Sequence, residues 1–397
     1  MTVLAGEELA TGIVFGTDAE PRLPRRGAGT APLAALEAAL LPALAAGPCL
    51  VSFSGGRDSS AVLAAATALA RREGLPDPVP ATNRFPGAAG AGEGRWQERV
   101  VDHLRLRDWL RVEHTDELDA VGPYARQGLR RHGLLWPFNA HFHAPLLERA
   151  RGGTLLTGIG GDELFAAATA SRLSGVMAGR ARPVARDVLR LGLAAAPGAA
   201  RRAVAVRRGG LGLPWLTPEG RRRAERLAAA DDAAEPAWPV ARLRWCRRLR
   251  YLRVGGESLA LLAADAGAAI AHPLLDERLW AALARAAAPW GLRGRAHGMR
   301  LLLGDLLPPD VLARRDKACF DSAFWTGTSR AFAAAWDPAD PTGGLIDAAA
   351  LSEHWRGDAP LAQSFLLLQA AWLASCRGDL EHAGGDLRDR PPLARPA

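Results

Sequence analysis

The sequence predicts an α/β protein: a doubly wound parallel sheet with a glycine-rich binding loop at its strand C-termini, followed by a mainly helical C-terminal part. Three observations lead there. Short apolar runs at 49–53, 79–85, 109–114 and around Leu155 have the length and composition of strands. Stretches with helical spacing separate them, at 61–72, 96–104 and near Leu146. Finally, the strands at 49–53 and at Leu155 each run into a Gly-rich turn that carries carboxylates. Strands that alternate with helices are joined by crossovers and lie parallel, and such sheets bind ligands beyond the strand C-termini.

Taken in order, residues 7–15 fit a strand or a short helix, and 21–32 form a Pro/Gly-rich link. Residues 30–46 predict a helix leading into the first strand. After the helix at 61–72 and the strand at 79–85, the Gly/Ala stretch 87–94 reads as a flexible loop beside the binding site. Trp96, Val100 and Leu104 then share one helical face, and 109–114 is a short strand. Residues 171–375 carry Leu and Ala at helical periods. The tail 376–397, with Gly384-Gly385 and Pro391-Pro392, is expected to be disordered. The chain thus divides into a short N-terminal segment (1–47), one large domain (48–375) and the tail, with no internal repeat.

Chemistry concentrates in Ser54-Gly55-Gly56-Arg57-Asp58-Ser59-Ser60, between the first strand and its helix. The two glycines let backbone approach phosphate oxygens. The free N–H groups and the dipole of the following helix favour an anion there. Ser54, Ser59 and Ser60 add hydroxyl donors. Asp58 beside phosphate calls for a cation between them, so it reads as a Mg2+ ligand. No G-x-x-x-x-G-K-[ST] follows, which excludes a Walker A loop. A second strand runs into Thr157-Gly158-Ile159-Gly160-Gly161-Asp162-Glu163-Leu164-Phe165. Two carboxylates from the C-terminal ends of neighbouring strands can hold a metal against phosphates, although Asp162 and Glu163 also suit the start of a helix. Lys317 is the only lysine among 50 basic residues, the other 49 being Arg. Where composition replaces Lys by Arg throughout, a retained Lys points to a need for a compact ammonium rather than a planar guanidinium.

The segment SGGRDSS resembles the pyrophosphate-binding loop (PP-loop) of the N-type ATP pyrophosphatases, S-G-G-x-D-S. That likeness implies ATP as cofactor and adenylation rather than terminal phosphoryl transfer. The segment 153–165 resembles the G-x-G-G-D-E-L-F stretch of the asparagine synthetase and β-lactam synthetase family. By that match Asp162 shares Mg2+ with Asp58, and Gly160 joins Ser54, Gly55, Gly56, Asp58, Ser59 and Ser60 in the nucleotide-binding set. His272-Pro273-Leu274-Leu275-Asp276 resembles that family's R-x-P-F-L-D stretch. Residues 314–320 resemble its R-x-K-x-x-F, which makes Lys317 the catalytic residue facing the phosphates and the acyl-adenylate. The matches keep their family order from about 48 to 330.

Several positions depart from that pattern. The family's glutaminase domain begins with a Cys after the initiator Met, whereas position 2 here is Thr2 and about 47 residues precede the loop strand. No glutaminase domain is expected. Ile159 stands where asparagine synthetases carry Glu and β-lactam synthetase carries Tyr, and Ala269 and Ala271 replace a Glu and an Arg. These losses point away from aspartate amidation and toward a less polar or larger acceptor. A likeness to the lasso peptide macrolactam synthetases is the runner-up, and an ATP-binding pseudoenzyme or scaffold, favoured by Ile159, is the competing reading from another class.

The net charge of +8 comes with Arg clusters at 201–202, 207–208, 221–223 and 242–253. They read first as solvated helix faces, and otherwise as a contact for an acidic peptide; nucleic acid ranks low. The cysteines Cys49, Cys246, Cys319 and Cys376 are far apart and form no C-x-x-C. With no signal peptide and no long apolar run, a cytoplasmic protein with reduced thiols is expected. His141-Phe142-His143 lacks the further ligands a zinc site needs. Together these readings give an ATP-dependent amide-forming ligase. Its partners are a small-molecule or peptide carboxylate and an amine donor.

Overall fold

Parallel strands β1 (Cys49–Ser52), β2 (Val79–Arg84), β3 (Leu110–Glu113), β4 (Thr154–Leu156) and β5 (Ala269–Ala271) form one sheet in the order β3-β2-β1-β4-β5. They come from a computed structural model. It describes residues 3–19, 30–87, 93–166, 196–207, 210–287, 291–292, 294–314 and 320–386, with positions 176, 182, 184, 192 and 193. Leu50 of β1 lies opposite Val79 on one side and Leu155 on the other, and Thr154 pairs with Ala269. The chain winds outward through β2 and β3, then returns to place β4 on the other side of β1. The loops after β1 and β4 therefore meet where the winding reverses, the position at which open α/β sheets bind ligands.

Successive strand residues feed two different cores, as a two-residue side-chain period requires. Val51 and Leu156 join Leu36 and Leu40 of helix Pro32–Ala45, Leu63 of helix Arg57–Arg72 and Leu279 of helix Glu277–Ala286. Leu50, Leu155 and the partly buried Ile270 face the opposite way. They meet Leu146 and Leu147 of helix Ala144–Arg149 and Leu259 and Leu262 of helix Arg250–Ala266. Burial on both faces is why these strands read as unbroken apolar runs.

The expected elements recur with small shifts. Residues 7–15 overlap helix Gly6–Thr11, and the loop helix starts at Arg57, which brings Asp58 into its first turn. The expected link at 21–32 and loop at 87–94 lie mostly outside the described residues. Two expectations change. β5 falls inside the stretch read as helical. Three residues are too few to show a period, and pairing with β4 rather than local propensity makes the strand. Helix Phe365–Asp386 also runs past Cys376, the first residue of the expected tail. Of the residues behind that expectation, only the prolines at 391–392 forbid a helix, and they lie outside the described residues.

The C-terminal helices carry a third core rich in Trp and Phe: Trp215, Trp325, Trp355, Phe365 and Trp372. Trp325 stacks on Phe365 with centroids 5.3 Å apart. The N-terminal helix docks on this part, where the Trp215 ring N–H donates to the Ala10 carbonyl at 2.8 Å. The Arg-rich stretch 242–253 is engaged in ion pairs. Arg242 pairs with Glu235, Arg247 with Glu277, Arg250 with Glu8, and Arg253 with Asp18 and Glu257. Cys49 and Cys246 are buried, which pushes their thiols up to about 12 and about 11, so both stay protonated. Among the described residues no helix is long and apolar enough to cross a membrane.

Candidate active site

The loop after β1 owes its shape to Gly55 and to its own hydroxyls. Gly55 has φ +83°, and a Cβ there would come within 2.8 Å of Gln97 Cγ. Ser59 Oγ donates to the Gly56 carbonyl at 3.1 Å and lies 3.2 Å from Ser54 Oγ, which accepts from the Gly56 N–H at 3.2 Å. Helix Arg57–Arg72 has no side-chain N-cap, so no capping side chain claims its leading N–H groups, as an anion site needs.

The loop after β4 is pressed against the first. A Cβ on Gly158 would sit 2.8 Å from the Ser59 nitrogen, and one on Gly161 would fall inside the Asp58 carboxyl group. The glycines of the second motif thus let its backbone touch the first, which brings Asp58 and Asp162 together. Arg295, at the start of helix Arg295–Leu303, joins them: it donates to Asp162 Oδ1 at 2.5 Å and to Asp58 Oδ2. Asp58 Oδ1 is buried and has no hydrogen-bond partner among the described residues. Burial pushes the Asp58 carboxyl above its usual range, although Arg295 pulls the other way. Two carboxylates around one cationic group, with a buried oxygen still unsatisfied, fit a divalent cation. Among the described residues no three metal-ligating side chains converge. Two carboxylates with phosphate oxygens and waters suit Mg2+ rather than a protein-caged ion.

A buried ion pair fastens the first loop from outside. Arg314 donates to Glu93 at 2.8 and 2.6 Å and to the Gly55 carbonyl at 3.0 Å, and its guanidinium lies 5.0 Å from the Trp96 ring centroid. Both side chains are 4% exposed. Arg314 and Phe320 line the cleft; Lys317, between them in sequence, lies outside the described residues.

The cleft has a volume of about 450 Å3. Ser54, Gly56, Asp58, Ser59, Gly160 and Asp162 line it, with Arg57 and Arg295 beside them. Ser60 is fully buried and is not among the lining residues. Trp136, Ile159, Tyr251, Gly255 and Gly256 line it as well. Tyr251 donates to Glu163 Oε1 at 2.5 Å; burial first, then that carboxylate, raises its hydroxyl so that it stays protonated. His143 Nδ1 lies 3.3 Å from Ser52 Oγ, and His272 Nδ1 2.6 Å from Thr157 Oγ1. Burial lowers both imidazoles to about 4, so both are neutral near pH 7. His141 instead packs in the core with Nε2 3.0 Å from the Leu118 carbonyl, and Asp276 caps helix Glu277–Ala286 through the Arg278 and Leu279 N–H groups.

Sequence reading missed Arg295, Glu93 and Tyr251. Arg295 is 133 residues from Asp162 and is one of 49 arginines, so nothing in its surroundings marks it. Arg57 and Arg314 fell inside quoted motifs without being assigned a role. No curated protein matches the chain. The family model for asparagine synthase matches residues 34–374.

Proposed function

Because the chain belongs to the asparagine synthase family of ATP-dependent ligases, we propose that it adenylates a carboxylate and passes the acyl group to an amine, releasing pyrophosphate and AMP. The observation that carries this reading is the meeting of Asp58 and Asp162 around one cationic group where the sheet reverses its winding. In the first step a carboxylate oxygen attacks the α-phosphorus of ATP and the bond to pyrophosphate breaks. In the second an amine nitrogen attacks the acyl carbon, the bond to AMP breaks, and the nitrogen gives up a proton.

Gly55, Gly56, the first-turn N–H groups and the hydroxyls of Ser54 and Ser59 hold the pyrophosphate. Mg2+, held by Asp58 and Asp162, would neutralise phosphate charge. Lys317 stabilises the negative charge that develops on phosphate and acyl oxygens. Ile159 presents no proton-transferring group, which sets aspartate amidation aside and keeps a second reading alive: a nucleotide-binding protein without turnover.

Calorimetry tests the site. Mg-ATP should bind the natural protein, and Asp58→Ala should abolish the metal-dependent part of that affinity. Unchanged Mg-ATP affinity in the variant would remove the assignment. Substrate-dependent pyrophosphate release separates the ligase from the non-catalytic reading.

A further inference from the structure

Part of the cleft is an apolar wall, lined by the apolar groups of Trp136, Ile159 and Tyr251 and by the Gly255-Gly256 pair. Gly255 and Gly256 sit in the middle of helix Arg250–Ala266, where glycine weakens a helix relative to alanine. A Cβ on Gly255 would rest 3.4 Å from the Trp136 ring, and one on Gly256 would meet nothing within 4 Å. Tyr251, Leu252 and Leu259 of this helix also line the cleft, and between them the helix forgoes side chains at Gly255 and Gly256, the latter leaving open space. Trp136 is fixed on three sides: its ring N–H donates to the Gly12 carbonyl at 3.0 Å, its main-chain N–H to Ser258 Oγ at 3.2 Å, and its ring lies 5.9 Å from that of Tyr251. Tyr251, which also lines the cleft, gives its hydroxyl to Glu163. Ile159 completes the wall.

Charge is as telling as shape. The arginines among the described lining residues are Arg57, Arg295 and Arg314; Arg295 is bound to Asp58 and Asp162, and Arg314 to Glu93. None belongs to the wall, so among the described residues a second carboxylate finds no cationic partner there. The wall also stands on the β4–β5 side, since Ile159 follows β4 and the glycine helix leads into β5. We propose that the acid this protein activates carries an aromatic or branched aliphatic group, seated against Trp136, Ile159, Tyr251 and the Gly255-Gly256 face.

This substrate class rests on the adenylation reading, and stable acyl-adenylate mimics separate the two. Binding of phenylalanyl-sulfamoyl adenosine and aspartyl-sulfamoyl adenosine is measured by calorimetry, with Mg-ATP as reference. The phenylalanyl compound should bind at least about tenfold tighter, the scale of discrimination an apolar pocket supplies. Gly256→Leu should erase that preference while Mg-ATP affinity stays within about threefold. Leu favours a helix over Gly, so the variant should melt no lower than the natural protein; Gly256→Ala, read the same way, serves if it does not fold. Equal or tighter binding of the aspartyl compound overturns the substrate class and leaves the ligase reading standing. Equal loss of Mg-ATP and phenylalanyl binding in Gly256→Leu assigns the wall to the purine and also overturns it. Failure of the natural protein to bind Mg-ATP removes both readings.

Discussion

The loops proposed to take phosphate and the wall proposed to take the acyl group follow different rules. In the loops, backbone sets the positions. Gly55, Gly158 and Gly161 are required because a Cβ would strike Gln97, Ser59 or Asp58, and the charges are interlocked as Arg314 with Glu93 and Arg295 with Asp58 and Asp162. At the wall, side chains set the boundary, and Gly256 leaves room for more of them. A change of residue type disrupts the first region, whereas it resizes the second. Chemistry shared across a family belongs to a region of the first kind, and substrate choice to one of the second.

The contrast can be broken at several strengths. The largest expected effect is at Glu93. Glu93→Ala leaves Arg314 buried beside the Gly55 carbonyl without its carboxylate, and removing one partner of a buried pair costs about 3–5 kcal/mol. Chemical denaturation should report that loss, and a cost below about 1 kcal/mol would mean the clamp is ornamental. Next is Lys317→Arg. With the fold and most ATP affinity kept, turnover should fall roughly a hundred- to thousand-fold, about 2.7–4 kcal/mol. Substrate-dependent AMP release within about threefold of the natural protein would make the sole lysine a compositional accident.

Acid should act through His143 and His272. Their folded values lie near 4, below the ordinary 6.5, so between those values the unfolded chain binds more protons and stability falls as pH drops. From pH 7 to pH 5 each imidazole should cost roughly 2 kcal/mol, and His143→Gln should remove about half of the pair's joint loss over that window, read from melting at each pH. An unchanged slope would show that His143 titrates normally. Smallest is Gly256→Ala, which should stabilise by about 0.4–1 kcal/mol through the lost freedom of the unfolded chain. A destabilised variant would mean that this space is filled.

Legibility in the sequence tracked the same divide. The loop after β1 and the Gly-rich turn after β4 were readable because a run of contiguous residues performs each task. Asp58 and Asp162 were assigned from their loops, and the structure brings them together. Arg295 and Glu93 were not readable: each acts on a partner more than a hundred residues away, and neither lies in a distinctive local pattern. Tyr251 was hidden for another reason, because it lies in an arginine-rich stretch whose composition suggested a surface. β5 escaped because sheet pairing, not periodicity, defines a three-residue strand. Ser60 differs from its neighbours in the loop, since it is fully buried and does not line the cleft.

The Arg314–Glu93 clamp has a consequence for biosynthesis. Its two residues are 221 positions apart, and through the Gly55 carbonyl the later one secures a loop made far earlier. A ribosome-bound chain that has emerged only through the first four strands holds every residue of the phosphate loop but not the arginine that fixes it. Closure of so long a segment carries an entropic cost that local contacts do not. The proposed nucleotide site is therefore among the last parts to be completed, and a chain truncated ahead of Arg314 would keep the loop's sequence yet lose its fastening.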